Sequence, residues 1–355
     1  MKSVAQMLIN ALCPSLARRT WMIAICVLVV FAMPSAMLAQ SFDPPGSTDT
    51  HPRAINAAGT VTGYYFDANQ GVHGFVRDKA GNIASLDAPG ASLTVPTGIR
   101  PNGDIVGHCV DQNGVHGFVR DHQGDFTTFD VPGVDRTTAV SVNSNGEITG
   151  AACCIGNLEF PLNNLGYVRD HQGIITTFYG PKGNINPYSI NDSKAISGDY
   201  IIDLANFRFE CFLRSPDGDT ASIVIPGSVS TSGCVLNSSG LIAGSYCDSW
   251  GAHGFLRDDK GTYTSFDALE AYLDRNCFAG TWPTGINDAA TIIGTYFDSD
   301  FVSHGFLRTR FGATFNLDPL GGRYTYPAAI NNAGVVTGFY FGSDNRYHGF
   351  VWEPK

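Results

Sequence analysis

A sevenfold internal repeat occupies nearly the whole of this chain of 355 residues. One copy, Ala54–Gly90, contains Ile-Asn-x-x-Gly, then Val-x-Gly-x-Tyr-x-Asp, then His-Gly-Phe-x-Arg-Asp, and ends on Asp-x-Pro-Gly. A repeat constrains the fold because each copy must be one small unit that buries its apolar face against its neighbours. The position after the first apolar residue of each copy recurs at Asn56, Arg100, Asn143, Asn191, Asn237, Asn287 and Asn331.

Each copy contains four short β-like runs, A to D, separated by turn residues. The A–B turn has Asn first and Gly fourth, as in Asn56–Gly59, and the C–D turn has Asp first and Gly fourth, as in Asp78–Gly81. Both are typical of type I turns. A copy spans about 45 residues, which is the length of a four-stranded propeller blade.

The two ends of the chain predict a closed ring. Ser41–Gly46 has the pattern of a lone D strand, whereas Gly349–Trp352 is a C strand with no D strand after it. We expect the first strand to complete the last blade, which removes the exposed edges of an open array. The predicted fold is therefore all-β: a seven-bladed β-propeller of four-stranded antiparallel blades, one domain over residues 40–355.

Residues 1–39 have the layout of a secretory signal peptide. Basic residues up to Arg19 precede the apolar run Trp21–Met33, and small residues follow up to Ala39. A retained anchor helix is the alternative, but the apolar run is short for a membrane span. The sequence predicts export to the periplasm or the exterior, with no membrane contact beyond the export signal.

The chain is acidic, with a formal net charge of −10. This charge disfavours nucleic acid and anionic membrane surfaces as partners. The sequence has no Gly-x-Ser-x-Gly elbow, phosphate loop or His-Glu-x-x-His motif, and we expect no cofactor. It leaves the oligomeric state open.

With these motifs, residues 41–355 resemble the HAF-type extracellular repeat proteins of bacteria, which carry Ile-Asn-x-x-Gly-x-Val-x-Gly followed by His-Ala-Phe. Blade 3 has Leu165-Gly166-Tyr167 and blade 4 has Glu210-Cys211-Phe212 instead. The resemblance implies a secreted, repeat-built protein and carries no catalytic residues. The third segment here is His-Gly-Phe, at His73, His116, His253, His304 and His348.

These repeated histidines are interpreted as structural. Equivalent positions around a ring lie far apart, so several copies do not converge on one metal ion, and we predict no metal site. An aspartate closes strand B just before each histidine, and we expect an Asp–His or Asp–backbone hydrogen bond to order each B–C loop. These aspartates include Asp67, Asp111, Asp248 and Asp298.

Two insertions interrupt the repeat. Cys153–Asn164 lies in the B–C loop of blade 3, and Ala268–Trp282 joins blade 5 to blade 6; its first half, Ala268–Arg275, is predicted to form a short helix. The B–C and D–A loops of a blade emerge on the same face, so both insertions should decorate one face, as binding loops of repeat proteins do.

Trp250 and Trp282 are the leading candidates for ligand contact on that face, because exposed aromatic rings stack on sugars or anchor protein partners. The alternative is that they cover the small core of the insertion. Other candidate ligand-binding residues are peculiar to single blades: Glu159, Glu270, Asp274 and Arg275. Arg100 is expected to be a tolerated surface change.

Cys247 ends strand B of blade 5 and Cys277 lies in the following insertion, so we predict a disulfide between them. A zinc site of Cys153, Cys154 and Cys211 is disfavoured by the spacing of the cysteines.

Regular blades without a catalytic motif favour a non-catalytic binding or scaffold protein, whose ligand is a polysaccharide or an extracellular protein. The main alternative is an extracellular hydrolase or lyase at the mouth of the central channel. Carboxylates beside His51, Arg53 or Arg136 at that mouth would favour the enzyme. A purely structural envelope component is a third reading.

Overall fold

The computed structural model describes residues 39–153, 164–319 and 321–354, which contain 28 β-strands and no helix. No helix in these ranges could therefore cross a membrane. Residues 1–38, most of the predicted signal peptide, lie outside the described residues. The strands are β1 (Gln40–Phe42), β2 (Ser47–Ile55), β3 (Val61–Asp67), β4 (Val72–Arg77), β5 (Ile83–Leu86), β6 (Leu93–Ile99), β7 (Ile105–Asp111), β8 (Gly114–Arg120), β9 (Phe126–Phe129), β10 (Arg136–Val142), β11 (Ile148–Cys153), β12 (Leu165–Arg169), β13 (Ile175–Phe178), β14 (Ile185–Ile190), β15 (Ile196–Asp203), β16 (Arg208–Arg214), β17 (Thr220–Ile223), β18 (Ser230–Leu236), β19 (Ile242–Cys247), β20 (Ala252–Arg257), β21 (Tyr263–Phe266), β22 (Thr281–Ile286), β23 (Ile292–Phe297), β24 (Ser303–Arg308), β25 (Thr314–Asn316), β26 (Arg323–Ile330), β27 (Val336–Phe341) and β28 (Tyr347–Trp352).

The strands pair in antiparallel groups of four, here called units. Unit 1 is β2–β5, unit 2 β6–β9, unit 3 β10–β13, unit 4 β14–β17, unit 5 β18–β21, unit 6 β22–β25, and unit 7 is β26–β28 together with β1. Single parallel pairings, Val72 with Leu93 and Val115 with Arg136, join units 1 to 3 into one twelve-stranded sheet. The prediction of an all-β chain of four-stranded antiparallel sheets is confirmed.

One buried aromatic ring on the third strand forms the centre of each unit. In unit 2 this is Phe118, which packs against Gly107 of the second strand; a Cβ atom built on Gly107 would lie 2.8 Å from the ring. It would also lie 2.2 Å from the carbonyl oxygen of Val95 on the first strand, and contacts this short are repulsive, so the position requires glycine. The equivalent rings, all fully buried, are Phe75, Phe118, Tyr167, Phe212, Phe255, Phe306 and Phe350.

The asparagine of the A–B turn connects neighbouring units. Asn191 Oδ1 accepts the backbone N–H of Ala195, which caps the turn, while Nδ2 donates to the carbonyl oxygen of Asn237 in the next unit at 3.3 Å. The same inter-unit bond runs from Asn331 back to Asn56 O at 3.0 Å. The other bonds of this series start at Asn56, Asn143, Asn237 and Asn287.

Arg100 replaces asparagine in this series and keeps a bond to each neighbouring unit. Its carbonyl oxygen accepts from Asn56 Nδ2, and its guanidinium donates to Asp104 Oδ2 at 2.6 Å and to the carbonyl oxygen of Ser144 at 2.8 Å. The change was expected to be a tolerated one at the surface; the structure adds that the longer side chain bridges units 2 and 3, where asparagine makes the bond in the other units.

The first strand completes the last unit. β1 pairs with β28, with Ser41 opposite Phe350, and Phe42 enters a core cluster with Val61 and Phe75 of unit 1. The ring centroids of Phe42 and Phe75 are 5.8 Å apart.

The predicted helix over Ala268–Arg275 is wrong, since this segment has turns and no helix. Ala271 N–H bonds to Ala268 O, a turn rather than a helical contact, and Glu270 has φ of 68°. A left-handed residue interrupts a right-handed helix.

Candidate ligand-binding cleft

Each repeated histidine lies between two aspartates. His116 Nδ1 is 2.8 Å from Asp130 Oδ1, and its Nε2 is 3.0 Å from Asp111 Oδ1. The carboxylate before the histidine also accepts backbone N–H groups of its loop, so both hydrogen bonds expected there are present; Asp67 Oδ1, for example, accepts from Gly71 N at 2.7 Å. The second aspartate, from the Asp-x-Pro-Gly motif, was missed in the sequence analysis.

The same arrangement holds the first strand in place. His348 Nδ1 lies 2.7 Å from Asp43 Oδ2 just after β1, and Nε2 lies 2.9 Å from Asp344 Oδ1. Asp43 also accepts a hydrogen bond from Thr50 Oγ1 at 2.6 Å. The Asp-x-Pro-Gly motif near the N-terminus therefore serves unit 7, as its other copies serve their own units.

In unit 2, the hydrogen bonds and charges around His116 raise the pKa of the histidine, whereas those around Asp111 lower the pKa of the carboxyl group. Burial lowers the pKa of His116, but hydrogen bonds to Asp130 and Asp111 outweigh it, and the pKa lies above the ordinary value. Hydrogen bonding by the backbone of Asn113 is the main cause of the lowered pKa of Asp111. His73, His304 and His348 have raised pKa values by the same balance.

Unit 4 departs from this pattern, and a disulfide joins it to unit 5. Glu210 stands at the histidine position and accepts a hydrogen bond from Tyr200 OH. Cys211 stands at the following glycine position and is bonded to Cys234 of unit 5. This pairing joins two neighbouring units.

A cleft of about 1090 Å³ opens among units 4 to 6. Two B–C loops line it, at Ala205–Phe207 and Asp248–Ser249, as do two D–A segments, at Gly227–Val229 and Arg275–Phe278. The inner strands supply Asp199 and Trp282. The B–C and D–A loops therefore meet around one concavity, and its size is at the upper end for ligand pockets.

The polar floor of the cleft is built around Asp199, which is 2% exposed. Tyr188 OH donates to both carboxylate oxygens at 3.0 Å, Asn186 Nδ2 to one at 3.4 Å, and Gly233 N to the other at 3.3 Å. Burial is the largest influence and raises the pKa of Asp199, although these hydrogen bonds oppose it.

The rim of the cleft is aromatic and exposed. Phe207 is 69% exposed and Phe278 is 73% exposed, and both line the cleft. Beside them the Trp250 ring is 65% exposed, with the guanidinium of Arg275 at 5.9 Å from its centroid. Large apolar side chains are seldom left in water without a binding role when they cluster.

A disulfide joins Cys247 at the end of β19 to Cys277 in the following segment, and both cysteines line the cleft. These are the two cysteines paired in the sequence analysis. Two disulfides are typical of proteins in oxidising compartments.

The predicted ligand residues are divided between several places. Trp282 and Arg275 line the cleft, and Trp250 is adjacent through Arg275. Asp274 accepts hydrogen bonds from Asn276 N and Phe278 N of its own loop. Glu270 lines a separate cavity of about 240 Å³ with Tyr296 and Phe315. Glu159 and most of its insertion lie outside the described residues.

Sequence reasoning missed Asp199, Tyr188 and Phe207. The signal for Asp199 is its position directly after the motif glycine, Gly198, where the other copies have Tyr64, His108, Ala151, Ser245, Thr295 and Phe339. A carboxylate appears there only in unit 4.

Within the described ranges, none of His51, Arg53 and Arg136, the residues named for the channel mouth, forms a close ion pair, although the charge of Asp49 acts on His51. His51 packs in an aromatic cluster, 4.7 Å from the Phe339 ring and 5.0 Å from the Tyr64 ring, and burial followed by the Arg53 charge lowers its pKa to about 4. Arg53 donates to Tyr64 OH at 3.2 Å. Across the described ranges, no group of three or more His, Cys, Asp or Glu residues is arranged to hold a metal ion.

The chain matches no protein-family model and no curated protein sequence. Among solved structures it is similar to virginiamycin B lyase from Staphylococcus aureus, at 14% identity and a TM-score of 0.58, covering 89% of this chain and 99% of that one. It is also similar to the β-propeller domain of the trilobed protease from Pyrococcus furiosus, at 13% identity and a TM-score of 0.60, covering 90% and 94%.

A puromycin hydrolase is a third similar structure, at 11% identity and a TM-score of 0.60, covering 88% of this chain and 54% of that one. At these identities the similarities show the fold alone, and the described chain is a β-propeller. Because propellers include lyases and hydrolases, the function must be argued from the site.

Proposed function

We propose that this protein is an exported, seven-bladed β-propeller that binds polysaccharide in the cleft of units 4 to 6. The observation that carries this proposal is the exposed aromatic rim above a polar floor: Phe207 and Phe278 beside the cleft, with Tyr188 and Asp199 below. Aromatic faces stack on the apolar faces of sugar rings, and the hydrogen bonds around Asp199 hold the cleft floor in one arrangement.

Closure of the seven units into a ring is part of the proposal. It is supported by the pairing of β1 with β28 and by the hydrogen bond from Asn331 to Asn56. A closed ring holds the inner strands of units 4, 5 and 6 side by side, which keeps the cleft walls at a fixed spacing. The Cys247–Cys277 disulfide fixes the loop that carries Phe278.

Export is supported by the layout of residues 1–39, by the two disulfides and by the resemblance to HAF-type extracellular repeats. Binding rather than catalysis is favoured by the state of Asp199. Its carboxylate is fully engaged by Tyr188, Asn186 and Gly233, whereas most glycoside hydrolases use two carboxyl groups that face the substrate.

A glycan array probed with residues 40–355 tests the proposal. We expect binding to at least one polysaccharide class, and a loss of roughly tenfold or more in the Phe207→Ala/Phe278→Ala variant. The matched control is Ile174→Ala/Phe311→Ala, which removes two exposed apolar side chains from C–D turns and should bind like the parent.

Equal loss in both variants, or no loss in either, would contradict the assignment of the cleft. Binding of no glycan at all would overturn the polysaccharide proposal. Release of shortened products from a bound glycan would favour the hydrolase or lyase alternative.

A further inference from the structure

The carboxylates near the cleft rim are occupied by their own loops. Asp203 accepts from Asn206 Nδ2 at 2.7 Å, Asp248 accepts from Trp250 N at 2.7 Å, and Asp274 accepts from Phe278 N at 3.3 Å. Each carboxylate closes a short turn and accepts hydrogen bonds from backbone or amide N–H groups of its own loop.

Two exposed arginines lie on the same rim. Arg208 and Arg275 line the cleft, both are exposed, and neither forms a close ion pair or donates a side-chain hydrogen bond within the described ranges. Arg208 stands opposite Asp203 in the pairing of β15 with β16, and the two charges interact. Arg275 lies over the face of the Trp250 ring, 5.9 Å from its centroid. Its planar fork of N–H groups therefore remains available, and such a fork matches the geometry of a carboxylate.

The two arginines belong to different walls. Arg208 begins β16 in unit 4, next to Phe207, whereas Arg275 lies in the segment between units 5 and 6, close to Phe278. Each cation is thus close in the chain to an exposed aromatic ring of the cleft. A sugar that carries a carboxylate beside its apolar ring face presents both complementary features in one residue.

We propose that the cleft selects acidic polysaccharides, which are chains of uronic acid residues. Arg208 and Arg275 bind the carboxylates, and Phe207 and Phe278 stack on the sugar rings. This inference rests on the proposed function and specifies its substrate class.

The test is a calorimetric titration of residues 40–355 with a panel of oligouronates, each paired with its carboxyl-reduced, neutral counterpart. We expect the oligouronates to bind about tenfold more tightly than their neutral counterparts. In the Arg208→Gln/Arg275→Gln variant the oligouronates should bind as weakly as the neutral forms. Arg310→Gln is the matched control, an exposed arginine on a C–D turn, and should bind like the parent.

Equal affinity for acidic and neutral forms, or unchanged oligouronate binding in the double arginine variant, would overturn acid selection. If neutral glycans still bind and lose affinity in the Phe207→Ala/Phe278→Ala variant, the polysaccharide proposal stands without it. If neither acidic nor neutral oligomers bind, acid selection is overturned, whereas the polysaccharide proposal is overturned only if the glycan array also shows no binding. Because both arginines are exposed, an unchanged unfolding midpoint will show that the variant remains folded.

Discussion

At the residue scale, two repeated polar side chains serve the architecture rather than chemistry. The A–B turn asparagine caps its own turn and donates to the next unit, and the histidine joins two loops through two aspartates. Repetition of a polar residue once per unit is thus explained by a contact that each unit needs.

Replacing Asn191 with alanine should destabilise the protein by about 1 to 3 kcal/mol, because the substitution leaves buried N–H and carbonyl groups without partners. Asn191 is 6% exposed, caps Ala195 N and donates to Asn237 O. The measurement is urea unfolding at pH 7, with Asn69→Ala in an exposed loop as the control. Similar unfolding free energies for the two variants would show that the inter-unit bond contributes nothing.

His116→Gln should change the pH dependence of stability between pH 5.5 and 8.5. The folded-state pKa of His116 is raised, so its stabilising contribution is fully present below the unfolded value and is lost as the pH rises through the folded value. The parent should therefore exceed the variant in unfolding free energy by more at pH 5.5 than at pH 8.5.

His108 provides a control of opposite sign, because burial, followed by the charges of Arg136 and Arg53, lowers its pKa to about 4. Its contribution is present above the unfolded pKa and is lost as the pH falls, by about 1 kcal/mol at pH 5.5. His108→Gln should accordingly recover stability at pH 5.5. The same pH trend in both variants would refute these assignments.

At the scale of strands and loops, turn chemistry predicted the regular parts well and the inserted segment poorly. Asn56–Gly59 and Asp78–Gly81 bear turns whose backbone bonds are local, so the residues themselves specify them. Ala268–Arg275 has helix-forming residues, but the Cys247–Cys277 bridge and the left-handed Glu270 impose another path. Phe207 of unit 4 and Phe278 of the segment between units 5 and 6 come together in the cleft through packing between units, which no single repeat encodes.

Replacing Cys247 and Cys277 with serine should cost about 3 to 4 kcal/mol, the chain-entropy value for a loop of this length. The bridged cysteines are separated by 30 residues, and the segment they close carries Phe278 and Arg275. Chemical unfolding of the variant and of the parent, with and without reductant, measures this cost. A variant as stable as the oxidised parent would mean that packing alone holds the segment.

At the scale of the whole molecule, the account depends on β1 acting as the fourth strand of unit 7. The sequence indicated this from the orphan Asp-x-Pro-Gly motif near the N-terminus, and the pairing of β1 with β28 agrees with it. The cleft could not be predicted in the same way, because it is formed by residues from three different units.

Phe42→Ala tests the role of β1 against an internal standard, Phe266→Ala. Phe266 is the last-strand aromatic of unit 5, and the two rings are buried to a similar extent, 8% and 9% exposed. If β1 stabilises the fold as the other fourth strands do, each substitution should lower the free energy of unfolding by about 3 to 5 kcal/mol, measured by thermal or urea unfolding. A much smaller loss for Phe42→Ala would show that the chain folds without the contribution of β1.

The most direct test of the central claim, that the cleft of units 4 to 6 binds glycan, is hydroxyl-radical footprinting of residues 40–355 with and without a saturating glycan from the array. Phe311, 84% exposed on a C–D turn, serves as the internal reference. The account predicts that bound glycan protects Phe207, Trp250 and Phe278 from oxidation and leaves Phe311 unchanged. Protection that spares these three rings and appears elsewhere on the propeller would contradict it.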